Sequence, residues 1–270
     1  MSIVLDGTTG ITTPAETVSG AVTAATVTAT GLISGATNYT GFKNLLIDAG
    51  FTINQRGYVS AATLASGSYG HDRWKAGASG GNYTFTQLAS STTITIASGK
   101  SLIQVVEDKN VNGTSFVLSW TGTAQARYAV NSATPSGSYA SSPILITGQT
   151  VGTTMSVEFN TGTLTNPQLE LGSTATSFDY RPYGTELALC QRYYTFGQNT
   201  TYISAASGTI AYNVPFLVYM RTAPTVTRTG NFWTGGENGT TANTITNYNF
   251  AFSNAGAVAA GGIWTATAEL

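Results

Sequence analysis

Short apolar runs separated by turn-forming residues recur along residues 44–184. Many of them alternate apolar and polar positions, which is the period of a strand with one buried face. Nine strands are predicted, at residues 45–47, 83–88, 92–97, 101–107, 115–120, 126–130, 143–147, 155–159 and 168–171. No long window keeps a helical period, so little helix is expected. This pattern predicts an all-β fold, a jelly-roll β-sandwich of two antiparallel sheets.

A second set of strand-like runs fills residues 186–270. These runs lie at residues 202–206, 209–214, 216–220, 224–229, 247–253 and 263–270, between Gly-rich turns. They predict a smaller C-terminal β domain. Within it, residues 231–243 combine aromatic, amide and glycine residues and show no strand pattern around Gly235 and Gly236. Loops of this composition are common sites of function.

Residues 1–42 differ from the rest, because they consist mainly of Thr, Ala, Val and Gly and offer little apolar volume. Such a segment alone cannot bury enough surface to offset its ordering entropy. A small-residue β segment is expected if further copies of the chain or a neighbouring protein cover it, and a disordered tail is the alternative. We therefore predict three parts, which are an extended segment at 1–42, the sandwich at 43–185 and the C-terminal domain at 186–270.

The densest stretch of the sequence, residues 166–194, joins the two predicted domains. Leu169 and Leu171 alternate with polar residues, which predicts a last sandwich strand with both leucines on its buried face. Residues 186–194 suit either one or two turns of helix or a second strand. We interpret this stretch as a hinge.

The composition and net charge of the chain indicate which binding partners are not expected. Charged residues make up 9% of the chain and the formal net charge is −1, so no binding to nucleic acid or to an anionic membrane is expected, since both require clusters of Lys and Arg. With Cys190 as the single cysteine and one histidine, neither an intrachain disulfide nor a Cys/His metal cluster is expected. No signal peptide and no apolar run of membrane-spanning length is recognised, so no membrane insertion is expected.

Three separated sequence blocks carry a family resemblance. They are NLLIDAGFTINQRG at residues 44–57, HDRW at residues 71–74, and the stretch from QLELG to LCQRYY at residues 168–194. Together they resemble the tail-fibre and tail-associated proteins of bacteriophages that carry a carbohydrate-binding-like β-sandwich. The resemblance covers roughly residues 43–195. It implies a virion adhesion protein, usually a homotrimer, that is made in the host cytoplasm.

On this basis we expect a non-enzymatic phage tail-fibre protein that attaches the virion to host cell-surface polysaccharide, with no cofactor. Residues 1–42 are expected to bind the phage tail or baseplate, and the C-terminal domain to meet the host. In a trimer, weak sugar contacts add up through multivalency. A polysaccharide-degrading tail enzyme and a purely structural tail or baseplate component are the alternatives.

The HDRW block is the first candidate for catalysis, because His71 stands beside the carboxylate of Asp72. No G-x-S-x-G motif or second histidine accompanies it, as a catalytic triad would require. The resemblance implies a structural role instead, in which Asp72 and Arg73 form an ion pair and Trp74 is a buried ring. We therefore predict no catalytic residue.

Carboxylates offer two other kinds of site. A pair of acids could hydrolyse glycosides, and the candidates are Glu107, Asp108, Glu158 and Asp179. Calcium is common in carbohydrate-binding jelly rolls, where oxygen ligands come from the first and last strands. Here Asp48 is one possible ligand, but Thr52 and Asn166 stand where such modules often place acids. We therefore expect no metal.

Sugars are commonly bound by an exposed aromatic ring that stacks on C–H groups, together with amides and carboxylates that fix hydroxyls. The loop of residues 231–243 meets this description, and its predicted receptor-binding residues are Asn231, Trp233, Glu237 and Asn238. In the alternative interpretation, Phe232 and Trp233 fill the core of the small domain. The other three tryptophans are expected to be core residues, and they are Trp74, Trp120 and Trp264.

Overall fold

The computed structural model describes the backbone of residues 42–203, 208–229, 236–254 and 258–270, which belong to one compact unit, Thr40–Leu270. The described residues are nearly all in strands, turns and loops, with one α-helix and one short 3-10 helix. The predicted all-β class is confirmed. Within the described ranges, no helix is long and apolar enough to cross a bilayer.

Ten strands form the sandwich. They are β1 (Lys75–Ala76), β2 (Tyr83–Phe85), β3 (Ile94–Ile96), β4 (Leu102–Val106), β5 (Ser115–Thr121), β6 (Ala126–Ala129), β7 (Ser136–Ala140), β8 (Ile144–Thr147), β9 (Met155–Phe159) and β10 (Gly162–Leu171). One sheet has the order β1-β4-β9-β6-β7 and the other the order β2-β3-β10-β5-β8. All pairs are antiparallel, as expected for a sandwich.

The predicted strand at residues 45–47 is wrong, because this segment is irregular and leads into a turn at residues 47–50. Its backbone groups bind partners outside a regular ladder: the amide of Leu45 donates to the carbonyl of Leu169 (2.8 Å), and the amide of Ile47 donates to the side chain of Gln104 (2.7 Å). Strands β1 and β7 were not predicted, since one has two residues and the other lacks large apolar side chains. The other eight predicted runs all contain a strand.

Aromatic rings from strands and from the connecting loops meet in the core. Trp74 stacks on Phe51 with ring centroids 4.8 Å apart, and Trp120 meets Phe159 edge to face at 5.2 Å. The predicted core positions of Trp74 and Trp120 are thus confirmed. Leu169 is fully buried, as predicted, whereas Leu171 is partly buried against the same core.

Six strands form the C-terminal part. They are β11 (Tyr194–Ile203), β12 (Gly208–Pro215), β13 (Thr225–Thr229), β14 (Gly236–Asn243), β15 (Asn247–Asn254) and β16 (Val258–Thr267). They make two three-stranded sheets, β11-β16-β13 and β12-β15-β14. Trp264 is buried between Phe216 and Tyr248, which confirms its predicted packing.

The predicted strand at residues 216–220 is also wrong. Its end residues are buried and bound to the turn before β15, because the amide of Phe216 donates to the carbonyl of Thr246 and the amide of Met220 to that of Ile245 (both 2.8 Å). The segment packs against the turn between β14 and β15, and its hydrogen bonds go to that turn. Its apolar end residues are therefore buried without pairing to a strand.

Helix α1 (Tyr183–Gln191) settles the choice left open for residues 186–194 in favour of helix. Its buried Cys190 packs with Ile47, Ile53 and Tyr193 in a cluster that is separate from the two larger cores. The helix therefore joins the sandwich to the C-terminal sheets. The predicted domain boundaries stay a prediction, and residues 1–41 lie outside the described residues.

Candidate functional site

The HDRW block lies where the sandwich meets the C-terminal sheets, and its side chains make structural contacts. Arg56 pairs with Asp72 (2.8 Å) and with Glu269 (2.9 Å), and the buried Arg73 also pairs with Glu269. Trp74 is fully buried. The expected buried ring is confirmed, and both expected ionic residues are in ion pairs, but their partners are Arg56 and Glu269. Because Glu269 follows β16, these pairs link the sandwich to the last residues of the C-terminal region.

His71 is fully buried and both of its ring nitrogens have partners. Its Nε2 lies 2.9 Å from Oε1 of Gln87, and its Nδ1 lies 2.7 Å from the hydroxyl of Tyr83. Because the amide oxygen can only accept, Nε2 carries the proton and Nδ1 accepts from Tyr83. Burial lowers the pKa of His71. The side chain is therefore a neutral structural group with no exposed surface.

The four carboxylates considered for hydrolysis serve separate structural contacts. Glu107 and Glu158 are buried, and each pairs with an arginine, at 3.3 Å and 2.6 Å. Asp179 accepts hydrogen bonds from two backbone amides of residues 43–44. Asp108 is exposed and binds the amide of the next residue.

Asp48 holds a turn of its own chain. Its Oδ1 accepts from the amides of Thr52 (2.7 Å) and Ile53 (3.0 Å), and burial raises its pKa well above the ordinary range. Its own amide donates to Glu186. Within the part of the chain that the structure describes, no group of three or more His, Cys, Asp or Glu side chains is placed to hold a metal ion.

The predicted receptor-binding loop is only partly within the described residues. Asn231 and Trp233 lie outside them, and of Glu237 and Asn238 only the backbone is described. That backbone belongs to β14, so residues 236–243 are not the loop that their sequence predicts. Its Gly, Thr and Asn residues show no apolar alternation that would predict a strand. The strand forms because it pairs with β15, with shifts in the register. The predicted site itself stays a prediction.

A groove of about 290 Å³ lies on the outer face of the second sandwich sheet. Phe116, Leu118 and Trp120 of β5 are buried in the core, so the alternate residues of this strand face outward. The loop of residues 172–180, which we call the rim loop, forms one wall. The groove is lined by Ser119, Trp120, Thr121, Asn166, Gln168, Ala175, Thr176, Ser177 and Phe178.

Two buried polar side chains of β10 hold the rim loop in place. Gln168 donates to the carbonyl of Ser177 (3.2 Å) and accepts from the amide of Asp179 (2.8 Å). Glu170 accepts from the amide (2.8 Å) and hydroxyl (2.6 Å) of Thr176. The rim loop covers this face of β10, so Gln168 and Glu170 are buried. The strand therefore has two buried faces at these positions, whereas the sequence predicted one.

Phe178 is the aromatic ring of the rim loop that lines the groove, and Tyr180 lies beside it. Phe178 and Tyr180 meet edge to face at 4.8 Å, and Tyr180 is 59% exposed. The amide of Asn166 donates to the hydroxyl of Tyr180 (3.2 Å). Asn166 has a positive φ of 51° and lies where the register of β10 with β5 shifts. This bulge turns the Asn166 side chain towards the rim loop.

A second cavity, of about 320 Å³, lies beside α1, and we call it the α1 pocket. It is lined by Phe42, Asn44, Leu45, Ile47, Lys109, Asn110, Asn112, Arg181 and Leu189. Arg181 lies 5.5 Å from the ring of Phe42 and pairs with Glu186 (3.1 Å). The pocket thus combines apolar side chains, one exposed ring, several amides and two cationic side chains.

The chemistry of the groove is that of a site for an uncharged ligand. Its described lining contains hydroxyls, amides and aromatic rings, and no ionisable side chain. Hydroxyls and amides both donate and accept hydrogen bonds, and aromatic rings pack against C–H groups. A polyhydroxylated molecule with apolar C–H faces is complementary to this set.

Two solved structures of discoidin II from Dictyostelium discoideum, one of the wild-type protein and one of the native recombinant protein, are similar to this chain. Each is 11% identical to it, and the alignments cover 83% and 84% of this chain and 91% and 92% of discoidin II. The TM-score is 0.22 in both, too low to carry an argument. No protein-family model and no curated protein matches the chain.

The groove was not predicted from sequence. Its polar residues lie on β5, on β10 and in the rim loop, which are distant in sequence from β5. Ser and Thr are also too frequent in this chain to mark a site. One signal was present: Gln168 and Glu170 are polar residues in the densest stretch of the sequence. Their need for buried partners indicates that another segment covers them.

Proposed function

We propose that this chain is a non-enzymatic adhesion protein of a bacteriophage tail fibre, which attaches the virion to glycans on the host cell surface. The observation that carries glycan binding is the groove between β5 and the rim loop, with its hydroxyl, amide and aromatic lining. The phage assignment rests on the resemblance of the three sequence blocks.

In this proposal, the hydroxyl groups of a sugar bind Ser119, Thr121 and Asn166, and its C–H face packs on the ring of Phe178. Glycoside hydrolysis uses a pair of carboxyl groups, and the described lining of the groove contains none. Binding without cleavage is therefore the activity that we assign to the groove.

The remaining parts of the proposal concern assembly. Residues 1–42 attach to the tail or baseplate, the chain forms a homotrimer in the virion, and Asn231, Trp233, Glu237 and Asn238 provide a further receptor contact. Three copies with weak sites bind a surface firmly through multivalency. No cofactor is required for this function.

The direct test is binding of the full-length protein to a panel of purified bacterial lipopolysaccharides and capsular polysaccharides. Thr121→Lys fills the groove from the exposed end of β5, and it should abolish binding to the polysaccharide that the parent binds. Thr147→Lys is the matched control, because Thr147 is an exposed residue of β8 in the same sheet and does not line the groove.

Trp233→Ala tests the further receptor contact in the same assay. If Trp233 is an exposed stacking ring, the variant should lose cell binding and keep its thermal stability. If Trp233 is a core residue, the change should cost ~3–5 kcal/mol and unfold its domain. A parent protein that binds no polysaccharide of the panel would contradict the proposed function.

A further inference from the structure

We infer that the groove is one end of a longer binding track, and that the ligand is a linear, uncharged oligosaccharide with several sugar rings in contact at once. The inference rests on the proposed glycan binding and specifies its ligand. The observation behind it is that three depressions of the surface share lining residues.

A small depression lies between the groove and the α1 pocket. It is lined by Asn44, Ala49, Gly50, Thr52, Ser90, Phe178, Asp179, Tyr180, Arg181 and Glu186. It shares Phe178 with the groove, and it shares Asn44 and Arg181 with the α1 pocket. The three depressions are therefore neighbours in series along residues 178–181.

Each of the three depressions is lined by at least one aromatic side chain. Phe178 lines both the groove and the middle depression, and Tyr180 lines the middle depression. Phe42 lines the α1 pocket. Tyr180 and Phe42 are each 59% exposed, so their rings are open to a ligand. Successive rings suit a chain of sugars, because each ring can pack against the C–H face of one unit.

The charged groups of the middle depression are already paired within the protein. Arg181 pairs with Glu186 (3.1 Å), and Asp179 accepts from the amides of Lys43 (2.9 Å) and Asn44 (3.3 Å). A charged sugar would gain little there and would have to compete with these partners. The exposed Lys109 lines only the α1 pocket. The paired charges therefore favour an uncharged chain in the groove and the middle depression.

The track is short. Residues 176–181 can span at most roughly 18 Å, because a fully extended chain rises about 3.3–3.6 Å per residue. Only a few sugar rings fit along it. Affinity should therefore increase with the length of the oligosaccharide and then reach a plateau, whereas a site for one terminal sugar would show no such increase.

The test is calorimetric titration of the full-length protein with size-fractionated fragments of the panel polysaccharide that it binds, prepared by partial acid hydrolysis. In Tyr180→Ala, the long fragments should bind about two- to tenfold more weakly, because one aromatic contact with a sugar ring is lost. Disaccharides that fit the groove alone should keep their affinity. The increase of affinity with length should thus disappear.

Tyr183→Ala is the matched control, because Tyr183 is also a tyrosine with 59% exposure, three residues further along, and it lines none of the three depressions. Tyr180→Phe keeps the ring and should keep most of the length dependence. Equal affinity for all fragment lengths, or a Tyr180→Ala variant that binds long fragments as the parent does, would overturn the track. If the parent binds no polysaccharide, both the track and the proposed function fail.

Discussion

At the scale of single residues, the core positions are the most predictable feature of this chain. Leu169 lies opposite Leu118 at the centre of the second sandwich sheet, and both side chains are fully buried. Alternation along β10 is sufficient to place Leu169 inward, because every second residue of a strand faces the same way. Its contribution can be measured directly.

Leu169→Ala should lower the free energy of unfolding by ~2–5 kcal/mol, because it removes buried methyl groups and leaves a cavity. Urea denaturation of the parent and the variant measures this loss. Leu145→Ala is the control, since Leu145 lies on β8 of the same sheet and is 53% exposed. An equal effect of the two substitutions would place our register of β10 in error.

The ionisation of Asp72 makes the free energy of unfolding depend on pH. Burial raises the pKa of Asp72 to about 6, above its unfolded value of about 3.9. A carboxyl with a raised folded pKa stabilises the fold below its unfolded pKa, and this stabilisation is lost as pH rises through about 6.

The difference in unfolding free energy between the parent and Asp72→Asn should therefore change by roughly 2 kcal/mol between pH 4 and pH 8, at about 1.4 kcal/mol per pKa unit. The parent should lose stability relative to the variant as pH rises. Denaturation curves at several pH values measure this. Asp108→Asn, at an exposed acid, is the control, and a flat difference for Asp72→Asn would contradict the argument.

At the scale of elements, strands with regular alternation were predictable, and strands made by pairing alone were not. The eight correctly predicted runs of the sandwich carry apolar residues that are buried in the core. Strand β14 consists of Gly, Glu, Asn, Thr and Ala, so its sequence indicates a loop and only its partner β15 makes it a strand. Residues 45–47 show the converse, because side-chain partners hold this apolar run in an irregular conformation.

The candidate site was the least predictable part, since it depends on contacts between distant segments. The groove requires a bulge at Asn166, a rim loop held by Gln168 and Glu170, and the outward face of β5. None of these has a sequence signature by itself. The buried polar pair of β10 was visible as a pattern, but its partners in the rim loop could be identified only from the fold.

At the scale of the whole molecule, a buried ionic cluster joins the sandwich to the C-terminal sheets. Glu269 accepts from both Arg56 and Arg73, and the carbonyl of Leu270 accepts from Tyr69 and Lys75 (both 3.0 Å). Two of the three family-like blocks contribute to this cluster. The last residues of the chain therefore hold the two regions together.

Glu269→Gln should destabilise the protein by ~3–5 kcal/mol, because it leaves the buried guanidinium of Arg73 without its charged partner. Thermal unfolding measures the loss. The double variant Arg73→Met with Glu269→Gln should be less destabilised than the sum of the two single variants, since the uncompensated charge is gone. Additive effects would show that the two side chains do not depend on each other.

We propose a homotrimer as the assembly of this chain. Residues 1–42 offer little apolar volume per chain, so their ordering requires burial against other copies or a neighbouring protein. Light scattering at micromolar concentration should report three copies. A stable monomer would remove the multivalency from the proposed attachment.

The most direct measurement of the central claim is a crystal structure of the full-length protein with a fragment of the polysaccharide that it binds. We expect sugar rings in the groove, with hydroxyl groups bound to Ser119, Thr121 and Asn166 and a ring face on Phe178. Sugar density confined to other surfaces, with the groove empty at a saturating fragment concentration, would contradict it.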